Sequence, residues 1–360
     1  MMNARLPKHE IDLKKEAFCR CSLLQYPWSH VYSDDMQIYP LLFQPVYKDY
    51  IWGGTRIEHR YGREDTPRVC AESWEISDRP EGMSMVVNGA HKGLSLHELV
   101  EMMGPDLLGT QVDADAFPLL IKIIDAKQDL SVQVHPNDDN AHLTGGEPKT
   151  EMWFVLAAEP GAMLYAGMKP GVTQAVFEEA LAEGQLEKVA LAKVPAKAGR
   201  AIFVPGGRVH AIGAGCLLLE IQQNSDTTYR VYDWERVGYD GVPRPLHKEQ
   251  ALQVIDWEHV TPEVMAPQPN PLRGVNRWWD IVQCPFFRAT RIALSGPEEV
   301  SHDGGSFHAL FVTKGTVLVG SNGSMASAVA GTSCLVPAAA KDYTLTPVSG
   351  PASVVQVTLG

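Results

Sequence analysis

Three side chains that bind divalent metals well, His135, Glu151 and His210, lie on segments that read as short strands, and a weaker oxygen donor, Gln133, lies two residues before the first. In Ser131-Val132-Gln133-Val134-His135 alternate residues share one strand face, so Gln133 and His135 point the same way. Lys149 and Glu151 are again two apart and share a face if the chain from Lys149 to Val155 is a strand. In Gly199 to His210, a Pro205-Gly206-Gly207 turn ends one strand and carries His210 onto the next. A lone histidine is more often a buried core residue than a ligand. Two imidazoles with a carboxylate and an open position form instead a catalytic metal pattern, because a structural zinc site closes all four places, usually with thiolates. None of the six cysteines falls within these motif segments.

The elements that must hold this set read mainly as strands. Phe117 to Ile124 is an apolar, β-branched run suited to a strand buried on both faces, and Leu217 to Gln222 is another, with Glu220 and Gln222 on one face. Ile51-Trp52-Gly53-Gly54 reads as a tight turn whose paired glycines take angles other residues avoid. Helical spacing interrupts twice. Ser95 to Met103 has apolar residues at 96, 99, 100 and 103 behind a capping box of Ser95 and Glu98, ended by Gly104 and Pro105. Residues 171–195 read as one or two amphipathic helices inserted among the strands. The polar stretch from Asn137 to Pro148 suits a loop over the metal site.

The sequence has 360 residues, of which 45% are hydrophobic and 21% charged, enough for two domains with their own cores. Residues 1–35 show no sustained period and read as a disordered extension. Residues 36–265 carry the metal-binding motifs, a proline-rich stretch from 262 to 275 reads as a linker, and 266–360 as a second β domain. That tail holds His302 and His308 without a matching third donor, so a second metal is not expected. A net charge of −12 with no basic patch removes the electrostatic footing for nucleic acid or an anionic membrane, though a few Lys and Arg side chains can still hold one phosphate. Six scattered cysteines, no apolar run of about 20 residues and no apolar leader point to a reducing cytoplasm.

Gly199, Pro205, Gly207 and His210 reproduce the second cupin signature, with Ala214 where that signature has Asn. Gln133, His135 and Glu151 resemble the first signature, lengthened by the polar insertion. Taken in order, Ile51 to Gly54, Glu72 to Ser77, Val132 to Pro136, Pro148 to Trp153 and Gln222 to Trp234 resemble the short bacterial form of type I mannose-6-phosphate isomerase. The resemblance covers about Met36 to Gln250. It implies a mainly β fold of tandem cupin (jelly-roll β-barrel) domains, one Zn²⁺ per chain held by His135, Glu151, His210 and Gln133, and interconversion of mannose 6-phosphate with fructose 6-phosphate. It also implies that Glu220 is the candidate base, that Arg230 stabilises the enediolate or orients the substrate, and that Lys149 lies near the sugar oxygens or the phosphate.

The residues leave rivals open. Gln133 is either a ligand or a group behind the ligands. Glu220 could be a salt-bridge partner of Arg230, and Arg230 a structural cation packed by Tyr229, Tyr232 and Trp234. Asp233-Trp234 and Trp52 read as packing. The same ligands could serve an Fe(II) cupin oxidoreductase or a sugar-binding cupin without turnover.

Overall fold

A strand with every residue buried sits inside a sheet covered on both faces, and Leu119–Ala126 is buried along all eight of its positions. The computed structural model describes residues 37–360 except 113, 259–262, 266–267, 271–273, 302 and 341, so the expectations for residues 1–35 and for His302 lie outside the described residues. Leu119–Ala126 belongs to a seven-stranded antiparallel sheet in the order Glu263–Met265, Ala201–Val204, Glu151–Ala158, Cys216–Gln223, Leu119–Ala126, Glu72–Ile76, Val46–Lys48. A five-stranded antiparallel sheet faces it, in the order Tyr229–Tyr232, Val132–Val134, His210–Ile212, Met163–Met168, Leu191–Pro195. Ile124, Trp153 and Val155 of the first sheet form one apolar cluster with Leu164, Ala166 and Ile212 of the second, and the site lies beside this layer.

The outer face of the five-stranded sheet is closed by helices. Phe177 and Ala180 of Gln174–Ala182, Leu186 of Leu186–Val189, and Ala251 and Val254 of Lys248–Val254 pack against Val132, Val134 and Ala211. Strand alternation then turns Gln133 inward. The expected helical insertion is shorter than 171–195, because Leu191–Pro195 is an edge strand paired with Met163–Met168. Leu96–Met103 is a helix with Ser95 as its N-cap and the full capping box, capped by Gly104, but Pro105 starts a further short turn, Pro105–Leu108, rather than ending helical structure.

A ten-stranded antiparallel sheet holds the C-terminal strands, with Ile292, Leu310, Val312 and Val354 in its core. The first strand, Leu41–Gln44, joins this sheet by pairing with Ser333–Val336. The stretch read as a linker is partly strand. Glu263–Met265 adds an edge to the seven-stranded sheet and Gln268–Pro269 an edge to the ten-stranded one. Gly53 and Gly54 do form a turn, with Gly53 N–H donating to Tyr50 O at 2.9 Å. Neither has positive φ. Glycine is required at Gly53 by close approach, since a Cβ there would lie 2.6 Å from Ala71 Cα.

Candidate metal centre and active site

The two sheets bring the predicted donors together. His135 follows Val132–Val134, His210 opens His210–Ile212, and Glu151 opens Glu151–Ala158 on the opposite sheet. One donor atom from each lies within 4.8 Å of the others, and the three residues are 0 to 1% exposed. His135 Nε2 is 3.5 Å from Glu151 Oε2, and His210 Nε2 is 3.4 Å from Oε1. Gln133 is the cross-strand partner of His210, with its side-chain amide 3.3 Å from His210 Nε2. Gly207, at φ 89°, forms the bend and donates its N–H to His135 O at 2.7 Å, tying the two histidine segments together. Where the cupin signature has Asn, the Ala214 N–H donates to Asp129 Oδ1 at 2.8 Å, so an aspartate from another loop holds the turn.

The second nitrogen of each imidazole fixes its tautomer. His135 Nδ1 donates to Thr227 O at 2.7 Å and His210 Nδ1 to Arg208 O at 2.8 Å; a carbonyl only accepts, so each Nε2 keeps a lone pair directed at the cluster. Burial pushes His210 down to about 4 and His135 well below its ordinary value, the latter helped by Lys149. Burial, with Glu220 nearby, pushes Glu151 up to about 7. Lys149 Nζ lies 2.7 Å from Glu151 Oε2, yet neither buried carboxylate oxygen accepts a well-directed hydrogen bond. Two neutral imidazoles around a carboxylate with orphaned lone pairs fit a divalent cation.

Beside this set is a charged row that sequence reasoning only half found. Lys122, Glu220 and Trp153 are direct cross-strand neighbours on three adjacent strands. Lys122 Nζ lies 2.9 Å from Glu220 Oε1 and 3.4 Å from Glu72 Oε2, and Trp153 Nε1 donates to Glu220 Oε2 at 2.9 Å. Burial opposes the charge on Lys122, but Glu220 and Glu72 outweigh it and raise its pKa. Burial likewise pushes Glu220 up, but Lys122 and Lys149 prevail and hold it below the ordinary carboxylate range. Lys149, 3.8 Å from Glu220, stands between that carboxylate and Glu151. Glu220 is thus paired with lysines and not with Arg230. The signal for Lys122 was a cation in the middle of an apolar strand buried along its whole length, a position that costs several kcal/mol unless the charge is paired.

A cavity of about 280 Å³ opens over these groups, lined by Trp52, Glu72, Lys122, Gln133, Lys149 and Glu220 from within and by Ser131, Arg230 and Arg244 toward its rim. Trp52, read as packing, therefore also faces this space. Arg230 Nε donates to Ser131 Oγ at 3.3 Å and its Nη1 to Pro245 O at 3.0 Å. Burial, then Arg244, lowers its pKa. Asp233 accepts from Arg236 and Arg244, each at 2.6 Å, and so positions a second rim arginine.

Residues 41–181 match the model of the phosphomannose isomerase type I catalytic domain. The chain is 39% identical over 259 residues to the mannose-6-phosphate isomerase ManA of Bacillus subtilis, across 71% of this chain and 80% of that protein. The chain belongs to the type I phosphomannose isomerases. Within this family it is also 39% identical over 258 residues to the mannose-6-phosphate isomerase of Streptococcus mutans, across 71% of this chain and 79% of that one. The crystal structure of the mannose 6-phosphate isomerase from Bacillus subtilis has the same arrangement of strands, with a TM-score of 0.81 at 32% identity over 89% of this chain and 99% of that one.

Proposed function

We propose that this type I phosphomannose isomerase interconverts mannose 6-phosphate and fructose 6-phosphate by moving one proton between C2 and C1 through an enediolate. The observation that carries the reading is the convergence of His135, Glu151 and His210 directly behind Gln133 and Lys149, which line a polar cavity that also holds the buried carboxylates of Glu72 and Glu220, Lys122 and two arginines. His135, Glu151 and His210 would hold the cation, with Gln133 Oε1 as a fourth donor after an amide flip. The nitrogen and oxygen donor set without cysteine favours one zinc per chain, which would supply positive charge against the oxyanion that develops as the C2 proton leaves.

Glu220 is the proton carrier. It takes the proton from C2 and returns it to C1, while O2 loses a proton and O1 gains one, so the isomerisation needs no oxidant. Lys122 and Trp153 keep its carboxylate ionised and oriented. Lys149 donates toward the C1 and C2 oxygens beside the cation. Arg230, positioned at the rim by Ser131 and the Pro245 carbonyl, and Arg244, positioned by Asp233, take the phosphate end, and the buried end is left to the reacting carbons. The two β bodies form a tandem cupin pair, with residues 36–265 as the catalytic domain and 266–360 as the degenerate second domain, to which the catalytic part lends its first strand. Among the described residues no helix is long and apolar enough to cross a membrane, and the four described cysteines are free, in keeping with a cytoplasmic enzyme.

A coupled assay that follows fructose 6-phosphate formed from mannose 6-phosphate tests this directly. Turnover is expected in the metal-loaded protein, lost with a chelator and regained with zinc, and Arg230→Ala is expected to lower turnover without lowering metal content. Absence of turnover in the metal-loaded protein overturns the reading, and metal loss in Arg230→Ala overturns the division of roles.

A further inference from the structure

A second polar cavity, of about 260 Å³, opens on the inner side of the ten-stranded sheet, away from the metal centre and close to the first in size. Four neighbouring strands build most of it, Arg277–Gln283, Arg288–Leu294, Asp342–Thr358 and His308–Ser321, and Asn270 with Val300 and Ser301 of Glu298–Ser301 complete the lining. The cross-strand row Trp278, Ile292 and Val354 belongs to the apolar core. Two residues along, on the same face, the row is Asp280, Thr290 and Gln356, and next to it lie Arg288, Thr358 and His308. The inner face of the sheet thus changes abruptly from apolar to hydrogen-bonding.

Thr290, His308 and Gln356 are 5 to 7% exposed, at positions where Val, Leu or Ile would pack without polar cost. They are prearranged. Gln356 Nε2 donates to Tyr343 Oη at 2.7 Å, and Tyr343 Oη lies 2.9 Å from His308 Nδ1. A sequence that breaks its own apolar pattern along several strands at one place marks a site more often than a defect, and the open end of a β structure is a common place for a small ligand.

Charge selects the ligand class. Among the described residues, the ionised side chains lining the cavity are Arg288 and Asp280, paired at 2.9 Å, so these offer no net charge to a phosphate or a carboxylate. The other polar lining groups are hydroxyl, amide and imidazole, from Thr290, Ser301, Thr358, Asn270, Gln356 and His308, over the indole of Trp278. We propose that this cavity binds a neutral polyhydroxylated molecule of hexose size, at a site distinct from the catalytic one, where Arg230 and Arg244 face the ligand.

The test is calorimetric titration of free mannose, fructose and glucose into the intact, metal-loaded protein, with mannose 6-phosphate and fructose 6-phosphate present at equilibrium to fill the first cavity. Saturable one-to-one binding of at least one sugar, with a Kd near 1 mM, is expected. Thr290→Val and Gln356→Leu should each weaken it by roughly fivefold or more, the worth of one hydrogen bond, with isomerisation unchanged. Thr358→Val, half-buried at the end of its strand, serves the same purpose if the deeper variants fail to fold. No saturation of any of the three sugars by roughly 50 mM, binding displaced by the sugar phosphates, or binding unchanged in the folded variants would overturn the proposal. The readout involves no turnover, so its failure and a failure of the isomerase reading are told apart.

Discussion

At the scale of single residues, the site works by setting the charge of buried groups against one another. Lys122 is the clearest case, a lysine 6% exposed whose charge is balanced by Glu220 and Glu72. Replacing it with Met leaves the metal donors in place and removes the cation that keeps Glu220 ionised. Turnover should fall by roughly two orders of magnitude, the acid limb of the rate profile should move to higher pH, and metal content by elemental analysis should stay at the wild-type value. A fall in metal content would place Lys122 in the metal site instead. The imidazoles give a second prediction. His210 titrates at about 4 in the folded chain, against an ordinary value of 6.5. Between those two pH values the unfolded chain holds a proton there that the folded chain does not, so the contribution of His210 to the stability of the metal-free protein declines as pH falls through that window. The loss is of the order of 3 kcal/mol from this residue, and His135 acts in the same direction. Glu151, pushed up to about 7, takes up a proton on folding over the same window and opposes the imidazoles, so the test uses the metal-free Glu151→Gln protein: its urea midpoint should be lower at pH 5 than at pH 7.5, and equal midpoints would contradict the account.

At the scale of elements, strands supply position and helices supply cover. The cross-strand neighbours Lys122, Glu220 and Trp153 depend on register, and a slip of one residue in Cys216–Gln223 would turn Glu220 to the other face of the sheet, away from both partners. The helix Leu96–Met103 buries Leu96, Leu99, Val100 and Met103 and contributes no residue to the cavity. Ser95→Ala removes its capping box, and thermal unfolding should show a loss of about 1 kcal/mol with kcat and KM unchanged. A changed KM would mean that this helix reaches the site. The capping box and the helical period were legible in sequence because both are local. Leu191–Pro195 was not, because it follows two helices directly and its two buried residues, Leu191 and Val194, are three apart, a helical rather than a strand spacing.

At the scale of the whole molecule, the seven-stranded and ten-stranded sheets are joined by buried polar contacts as well as by the shared first strand. Arg63 pairs with Glu75, which is 2% exposed, at 2.8 Å and also donates to the carbonyl of Gly331 on the C-terminal side. Arg63→Met strands the carboxylate of Glu75 and should cost about 3–5 kcal/mol, read as a lower denaturant midpoint, while the kcat of the protein that remains folded is preserved. A loss of less than about 1 kcal/mol would show that the pair is screened by water.

The residue pattern by itself made the grouping of His135, Glu151 and His210 legible, because Gln133-x-His135, Glu151 and the Pro-x-Gly turn before His210 are short-range arrangements whose strand periodicity fixes which side chains share a face. It also determined that the chain is mainly β and that a helical insertion interrupts it. Tertiary structure alone decided which charges meet. Sequence left Arg230 as a possible partner for Glu220, whereas the pairing of Cys216–Gln223 with Leu119–Ala126 gives Glu220 to Lys122, 98 residues away by register. It also decided that Leu41–Gln44 crosses to the C-terminal sheet. Both outcomes follow from the same physics: alternation along a strand is local and can be read from the chain, but the choice of neighbour in a sheet is set by which apolar faces are covered together, and that is a property of the folded whole.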